Sequence, residues 1–321
     1  MLRFFLASLL IVLTLSCEPP KDQLRLERDE DGTTILLGRQ PLVCYVHSET
    51  PEPEGQSPLY RRSAYIHPLY SRGGMVLTRI QPPDHYHHYG IWNPWTRVSF
   101  DDRTVDFWNL DEGQGTVRFA EYLEQHEDEK EAGFSVRHEH IYFNEDGSEG
   151  LALNEVWKLR VHDVKENSYA LDMEVLLSTP LEGGVTLNAY RYGGGLGYRA
   201  TEKWNNENST VFTSQGRTRA DADSTRARWV IIEGESSVPQ GRSGILFLSH
   251  PDNHAHPESM RVWPPENHEG SVYFEFCPIR EKEWVLEQDR EYTLRYRMIV
   301  FDGGMGAGDA QIHWNKFSSD Y

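Results

Sequence analysis

The sequence is short of cysteine, of positive charge and of helical patterning. Three cysteines, Cys17, Cys44 and Cys277, occur in 321 residues, too few for a disulfide framework. Cys17 closes a leader-like stretch, which leaves Cys44 and Cys277 to pair with each other or to stay as buried thiols. The 32 Lys and Arg residues against 50 Asp and Glu give a net charge of −18. That excludes a duplex nucleic-acid binder, which needs a basic face to displace counterions. No apolar run after residue 17 is long enough to cross a bilayer. No segment carries a sustained apolar stripe at helical spacing. A Gly-x-Ser-x-Gly elbow is missing. Gly193-Gly194-Gly195 is followed by neither a helix pattern nor a Lys-Ser/Thr pair, so it is no nucleotide-binding loop.

What is present begins with residues 1–17, read as a lipoprotein signal segment. Arg3 is its charged head, Phe4 to Leu15 its apolar run, and Cys17 the expected acylated start of the mature chain. Thr14 stands where a lipobox usually has Leu. Residues 18–24 are the tether, and the protein is expected at the cell envelope, lipid-anchored or secreted. Residues 25–321 read as one domain of many short strands. Leu24 to Arg28 and Thr33 to Leu37 flank a turn at Asp29-Glu30-Asp31-Gly32, a hairpin signature. Alternating runs follow at 117–124, 134–143, 151–162, 169–178, 228–234, 244–249, 271–276 and 291–301. Turns roughly every ten residues predict an all-β protein, a large antiparallel β-sandwich.

The densest chemistry lies in Pro83-Asp84-His85-Tyr86-His87-His88-Tyr89-Gly90-Ile91-Trp92. Imidazole changes charge near neutral pH and is the commonest metal ligand. As a strand, the segment would point His85 and His87 one way and Tyr86 and His88 the other. His85, His87 and His88 are candidate acid/base groups or ligands, with Asp84 orienting one ring. The bland alternative is histidines that bridge strands. A second cluster, His250-Pro251-Asp252-Asn253-His254-Ala255-His256-Pro257, follows a hydrophobic strand. If it reaches the first, His250 and His256 join the catalytic set and Asn253 the binding set; otherwise it is a solvated loop. His67, held extended before Pro68, is a further catalytic candidate. Tyr192 and Arg199 bracket the glycine run as candidate substrate-binding residues. Trp92, Trp95 and Trp108 are sugar platforms or core. Asp106 and Glu155 are the carboxylates with an inward address, but no pair stands out as a glycosidase needs.

Ile66-His67-Pro68-Leu69-Tyr70-Ser71, the Asp84-to-Trp92 motif, Tyr192-Gly193-Gly194-Gly195-Leu196-Gly197-Tyr198-Arg199, His250-Pro251, His256-Pro257, and Leu294-Arg295-Tyr296-Arg297 before Asp302-Gly303-Gly304 occur in an order that resembles the bacterial family labelled PmoA or methane oxygenase. The likeness covers roughly Leu59 to Gly304. It implies a secreted or lipid-anchored protein with a galactose-mutarotase-like supersandwich, a fold that many carbohydrate-active enzymes use. The label itself would imply a copper oxygenase, whose membrane subunit is a multispan protein unlike this chain. The expectation is therefore a carbohydrate-active enzyme, a hydrolase, lyase or epimerase working by histidine acid/base chemistry on a carbohydrate partner. His85 or His87 would take a proton and a histidine of the 250–256 loop would give one. The cofactor stays open, with a divalent metal as one reading. The alternative is a non-catalytic surface glycan-binding lipoprotein.

Overall fold

Alternation between apolar and polar residues puts most of this chain into strands, and the computed structural model describes residues 23–320. The leader and most of the tether lie outside the described residues. In chain order the strands are β1 (Leu24–Arg28), β2 (Gly32–Leu37), β3 (Gln40–Val46), β4 (Tyr65–Leu69), β5 (Ile91–Trp92), β6 (Val98–Phe100), β7 (Arg103–Val105), β8 (Gly115–Glu127), β9 (Ala132–Phe143) and β10 (Glu149–His162). They continue with β11 (Ser168–Ser178), β12 (Val185–Leu187), β13 (Leu196–Arg199), β14 (Ser209–Thr213), β15 (Trp229–Glu235), β16 (Arg242–Ser249), β17 (Ser259–Val262), β18 (Tyr273–Cys277), β19 (Trp284–Leu286) and β20 (Tyr292–Asp302). A helix, α1 (Ala307–Phe317), follows.

Two eight-stranded antiparallel sheets carry the architecture. The first runs β1-β2-β3-β4-β5-β13-β18-β17, the second β14-β15-β16-β20-β11-β10-β9-β8; a small sheet, β19-β12-β6-β7, stands beside them. The inward side chains of both large sheets, among them Ile35, Ile66, Tyr198 and Phe274 from the first and Val136, Trp157, Phe247 and Met298 from the second, form one core. This is the all-β antiparallel architecture expected.

The period of two places chemistry on the other face of the first sheet. Ile66, Ile91, Tyr198 and Phe274 point into the core. Their strand neighbours Tyr65, Trp92 and Tyr273 point outward into a separate aromatic cluster with Tyr89, Trp108, Leu110 and Trp263. Part of the outer face of the second sheet, on β15, β16 and β20, is apolar too, and α1 covers it: Ala310 and Phe317 pack with Trp229, Leu246, Leu248 and Ile299.

Two expectations are corrected, the geometry of the Asp84 motif and the lack of a helix. The Asp84 motif is not a strand but two successive turns, because Pro82-Pro83-Asp84 imposes turn geometry: the His85 amide donates to the Pro82 carbonyl at 2.9 Å and the His88 amide to the His85 carbonyl at 3.0 Å. The histidines therefore do not alternate between faces. Residues 76–80 make only isolated bridges, Tyr70 to Val76, Thr78 to Ala200 and Ile80 to Tyr89. A helix exists where no helical stripe is evident. Cys44 and Cys277 are both free thiols. Among the described residues no helix is long and apolar enough to cross a membrane.

Candidate functional site

The motif forms a closed loop standing on the outer aromatic cluster of the first sheet. Its ends are tied by the Ile80–Tyr89 bridge and by the Gln81 amide, which donates to the His88 carbonyl at 2.8 Å. Gly90 lets the chain leave the loop: its φ is +62°, and a Cβ there would sit 2.2 Å from the Ile66 carbonyl oxygen. The loop is anchored by charge. Arg199 of β13, buried, donates from Nη2 to both Asp84 oxygens at 2.9 and 2.8 Å and lays its guanidinium over the Trp263 ring. Arg199 thus positions the loop and does not itself line the cavity.

Turn geometry turns all three motif histidines toward one space. The His85 and His88 rings stack with centroids 4.6 Å apart, and His87 stands edge-on to both at 5.4 and 5.0 Å. One nitrogen from each of the three rings lies within 4.8 Å of the others. Asp84 Oδ2 is 3.3 Å from His85 Nδ1, at ion-pair distance without hydrogen-bond alignment.

The opposite wall comes from the segment between β17 and β18. Trp263 and His268 are in ring contact at 3.9 Å, and His268 is edge-on to His85 at 4.7 Å. Arg219 holds this segment by donating to the carbonyls of Trp263 at 3.0 Å, Gly270 at 2.7 Å and Ser271. A third wall is Trp108, fixed by Asp106, whose Oδ1 accepts from the Trp108 and Asn109 amides at 2.8 Å each. Together they enclose a cavity of about 280 Å³ lined by the motif histidines, Trp108, Asn109, Arg191, Tyr192, Arg261, Trp263, His268 and Tyr273. A second recess of about 300 Å³, with Arg97, Glu112 and Tyr190, shares Asn109 and Tyr192 with it.

Burial sets the charge state. It pulls His87 down to about 3, with the neighbouring His85 adding to the effect, and holds His88 well below the ordinary imidazole value. His268 is lowered by burial and then by His85. Burial works against the Asp84 charge, but His85 and Arg199 outweigh it and keep that carboxyl well below the usual range. His87, His88 and His268 are therefore neutral at neutral pH, the form that accepts a proton or binds a metal. Buried polar atoms lacking a hydrogen-bond partner concentrate here: Nδ1 of His85 and His88, Nε1 of Trp92 and Trp108, and Nε and Nη1 of Arg199. Native proteins leave few such atoms unsatisfied.

With this geometry in place, comparison with known proteins fixes the family. A family model matches residues 32–315. The chain belongs to DUF6807, a family of unknown function. A search of curated proteins gave no match. Solved structures similar to this DUF6807 chain include a galactose mutarotase related enzyme from Lactobacillus acidophilus, 8% identical over 86% of this chain and 97% of that one, with a TM-score of 0.40. Heparan sulfate lyase HepC from Pedobacter heparinus is 9% identical over 89% of this chain, with a TM-score of 0.37, and the match spans 36% of the lyase. An alpha-galactosidase from Lactobacillus brevis is 10% identical over 88% of this chain and 40% of its own length, with a TM-score of 0.35.

The DUF6807 cavity gathers His85, His87, His88 and Tyr192, with Asp84 and Arg199 directly behind. It does not gather the other candidates. His67 lies in β4, its Nδ1 2.8 Å from Thr78 Oγ1. The 250–256 loop does not reach the motif. The His250 ring is edge-on to Phe317 of α1, His256 stacks over Trp314, and His254 lies flat on Trp284 at 4.3 Å. Asn253 donates to Glu258 at 3.2 Å and to the Arg295 carbonyl at 2.9 Å. The 250–256 loop therefore contributes no imidazole to the cavity; the fourth imidazole lining it is His268. Trp92 is fully buried beneath His88 and offers no platform. Trp95 and Trp157 donate to the buried Glu155. The glycine run packs on protein: Gly193 donates to Glu275 at 2.6 Å, and a Cβ at Gly194 would meet Trp95. Reading residues alone missed His268, Trp263, Tyr273, Arg261, Arg191 and Asn109. Trp263-Pro264-Pro265-Glu266-Asn267-His268 carried a signal, an aromatic and an imidazole flanking a proline turn.

Proposed function

We propose that this protein is a carbohydrate-active enzyme of the cell envelope, anchored through Cys17 or secreted, that moves protons on a sugar ring held in the imidazole cavity. The observation that carries the reading is the convergence of His85, His87, His88 and His268 on one aromatic-walled hollow of about 280 Å³. That volume is near the lower end of small-ligand pockets, roughly 300–1,000 Å³, and suits one ring. The adjoining recess past Asn109 and Tyr192 has room for a neighbouring unit. Aromatic faces bind the apolar side of a sugar, and Arg191, Arg261, Tyr192 and Asn109 suit its hydroxyls or an acidic substituent. The PmoA-like likeness belongs to this proposal through its secreted setting.

His268, neutral and 35% exposed by side chain, is the group placed to exchange a proton with a ligand. Asp84 lies 3.9 Å from its Nδ1. Hydrolase, lyase and epimerase chemistry all use such a group. The glycan-binder reading calls for an exposed aromatic platform, whereas Trp92, Trp108 and Trp263 are all buried. The test is a glycan panel with product detection, run on the wild type and on His268→Gln. Turnover of one glycan that falls at least ~100-fold in the variant is expected. Equal turnover in both proteins, or binding without any product, would overturn the reading.

A further inference from the structure

We infer that His85, His87 and His88 form a three-imidazole site for a divalent cation of the zinc class. This rests on the reading of the cavity as the reaction site, but its chemistry is argued separately. Two successive turns bring three rings together within four residues, with one nitrogen of each inside 4.8 Å of the other two. Nitrogens sharing one zinc ion at about 2.0–2.1 Å stand roughly 3.3 Å apart, so closing the set requires ring rotations that unstack His85 and His88.

The second observation is an unmet need. His88 is 1% exposed, lines the cavity, and has an Nδ1 with no hydrogen-bond partner. A ligating imidazole normally shows one nitrogen to the metal and the other to an orienting group, and Asp84 at 3.3 Å stands in that orienting place for His85. The alternative set Asp84, His85 and His268 is less suited, because both Asp84 oxygens are committed to Arg199. A cation there would face that guanidinium.

All-imidazole ligation favours zinc and its borderline neighbours over magnesium or calcium, which take oxygen ligands. Three protein ligands leave a fourth position facing the hollow, the arrangement of catalytic rather than structural zinc. A bound ion would there polarise a sugar oxygen or a water, and His268 would remain free for the proton.

The test uses the full chain freed of metal, titrated with Zn2+ by calorimetry and with Co2+ by visible absorbance. One equivalent of each should bind, with Co2+ bands in the visible. His87→Ala should weaken Zn2+ at least ~100-fold and remove the bands, whereas His254→Ala should match the wild type. If His87→Ala is not folded by circular dichroism, His85→Gln carries the same expectation. Absence of stoichiometric binding, or equal affinity in His87→Ala and His85→Gln, overturns the site. Sugar turnover undiminished after chelation, together with no stoichiometric Zn2+ binding, overturns the site and leaves the proposed function standing. Stoichiometric Zn2+ binding lost in the variants, with no glycan turned over, supports the site and sinks that function instead.

Discussion

Two histidine clusters in this molecule, His138 with His140 and the Asp84 motif, differ in what surrounds them. One lies in the core, where Glu155 of β10 takes bonds from His138 Nδ1 at 3.4 Å, His140 Nε2 at 3.2 Å, Trp95 Nε1 at 3.2 Å and Trp157 Nε1. The other nitrogen of His138 meets the Tyr45 hydroxyl at 2.8 Å, under a ring stacked at 5.8 Å. The second cluster lies outside the first sheet, and its carboxylate, Asp84, is spent on Arg199. In the core a single carboxylate answers one nitrogen of each histidine, His140 Nδ1 staying without a partner, and the result is a girder. In the outer cluster the carboxylate answers an arginine, and imidazole nitrogens are left facing a hollow. What distinguishes a site from a scaffold here is where the nearby negative charge is committed.

The strongest way to break this comparison is Glu155→Ala. It strands four buried donors, and a cost of about 3–5 kcal/mol is expected, read by denaturant unfolding. A loss below 1 kcal/mol would show that the core cluster is no girder.

Another carboxylate, buried like Glu155, sharpens the contrast through pH. Glu258 accepts from Ser249, from the Tyr296 hydroxyl at 2.7 Å and from Asn253 at 3.2 Å, with no cation among its partners. Burial pushes it up to about 7, the hydrogen bonds only moderating the rise. A folded-state value above the unfolded one means stability complete below about pH 4.5 and lost as pH climbs through 7. Glu258→Gln, in which a hydroxyl can reverse to accept from the amide, should gain on the order of 2 kcal/mol over wild type at pH 9 and nothing at pH 4.5. His67 limits the acid side with the opposite sign: burial lowers it to about 4, so its contribution is present above about 6.5 and lost as pH falls through 4. Thermal melts across pH 4–9 read both limbs.

The smallest effect is expected from Arg199→Lys. It keeps the charge, loses the guanidinium laid over Trp263, and should cost about 1 kcal/mol by denaturant unfolding. Its larger signature is a loosened 81–88 loop, measured as faster amide exchange at His85 and His88.

Much of the fold was legible because strand alternation is a local property. Runs such as 151–162 and 169–178 appear as β10 and β11 with the expected ends nearly in place. The motif was legible as chemistry and misread as geometry. Pro83 and Asp84 at the centre of a turn outweigh the pull of the aromatic residues toward a strand. α1 escaped because its apolar face is little more than Ala310, Trp314 and Phe317, and packing on the second sheet supplies what propensity does not. That omission explains the misplaced second cluster. His250 and His256 have aromatic partners, but these belong to the unread helix. His268 was passed over for another reason: the imidazole beside the proline turn gains its meaning only from a neighbour nearly two hundred residues away.

The Arg219 clamp has a consequence for how relatives of this chain could diverge. One guanidinium, outside the cavity lining, fastens three carbonyls on either side of His268. The gap between the two halves of the imidazole set is therefore adjusted from a distance, like the span of callipers set by a screw in the handle. A substitution in the 219 region would retune which ligand fits without altering any side chain that touches it.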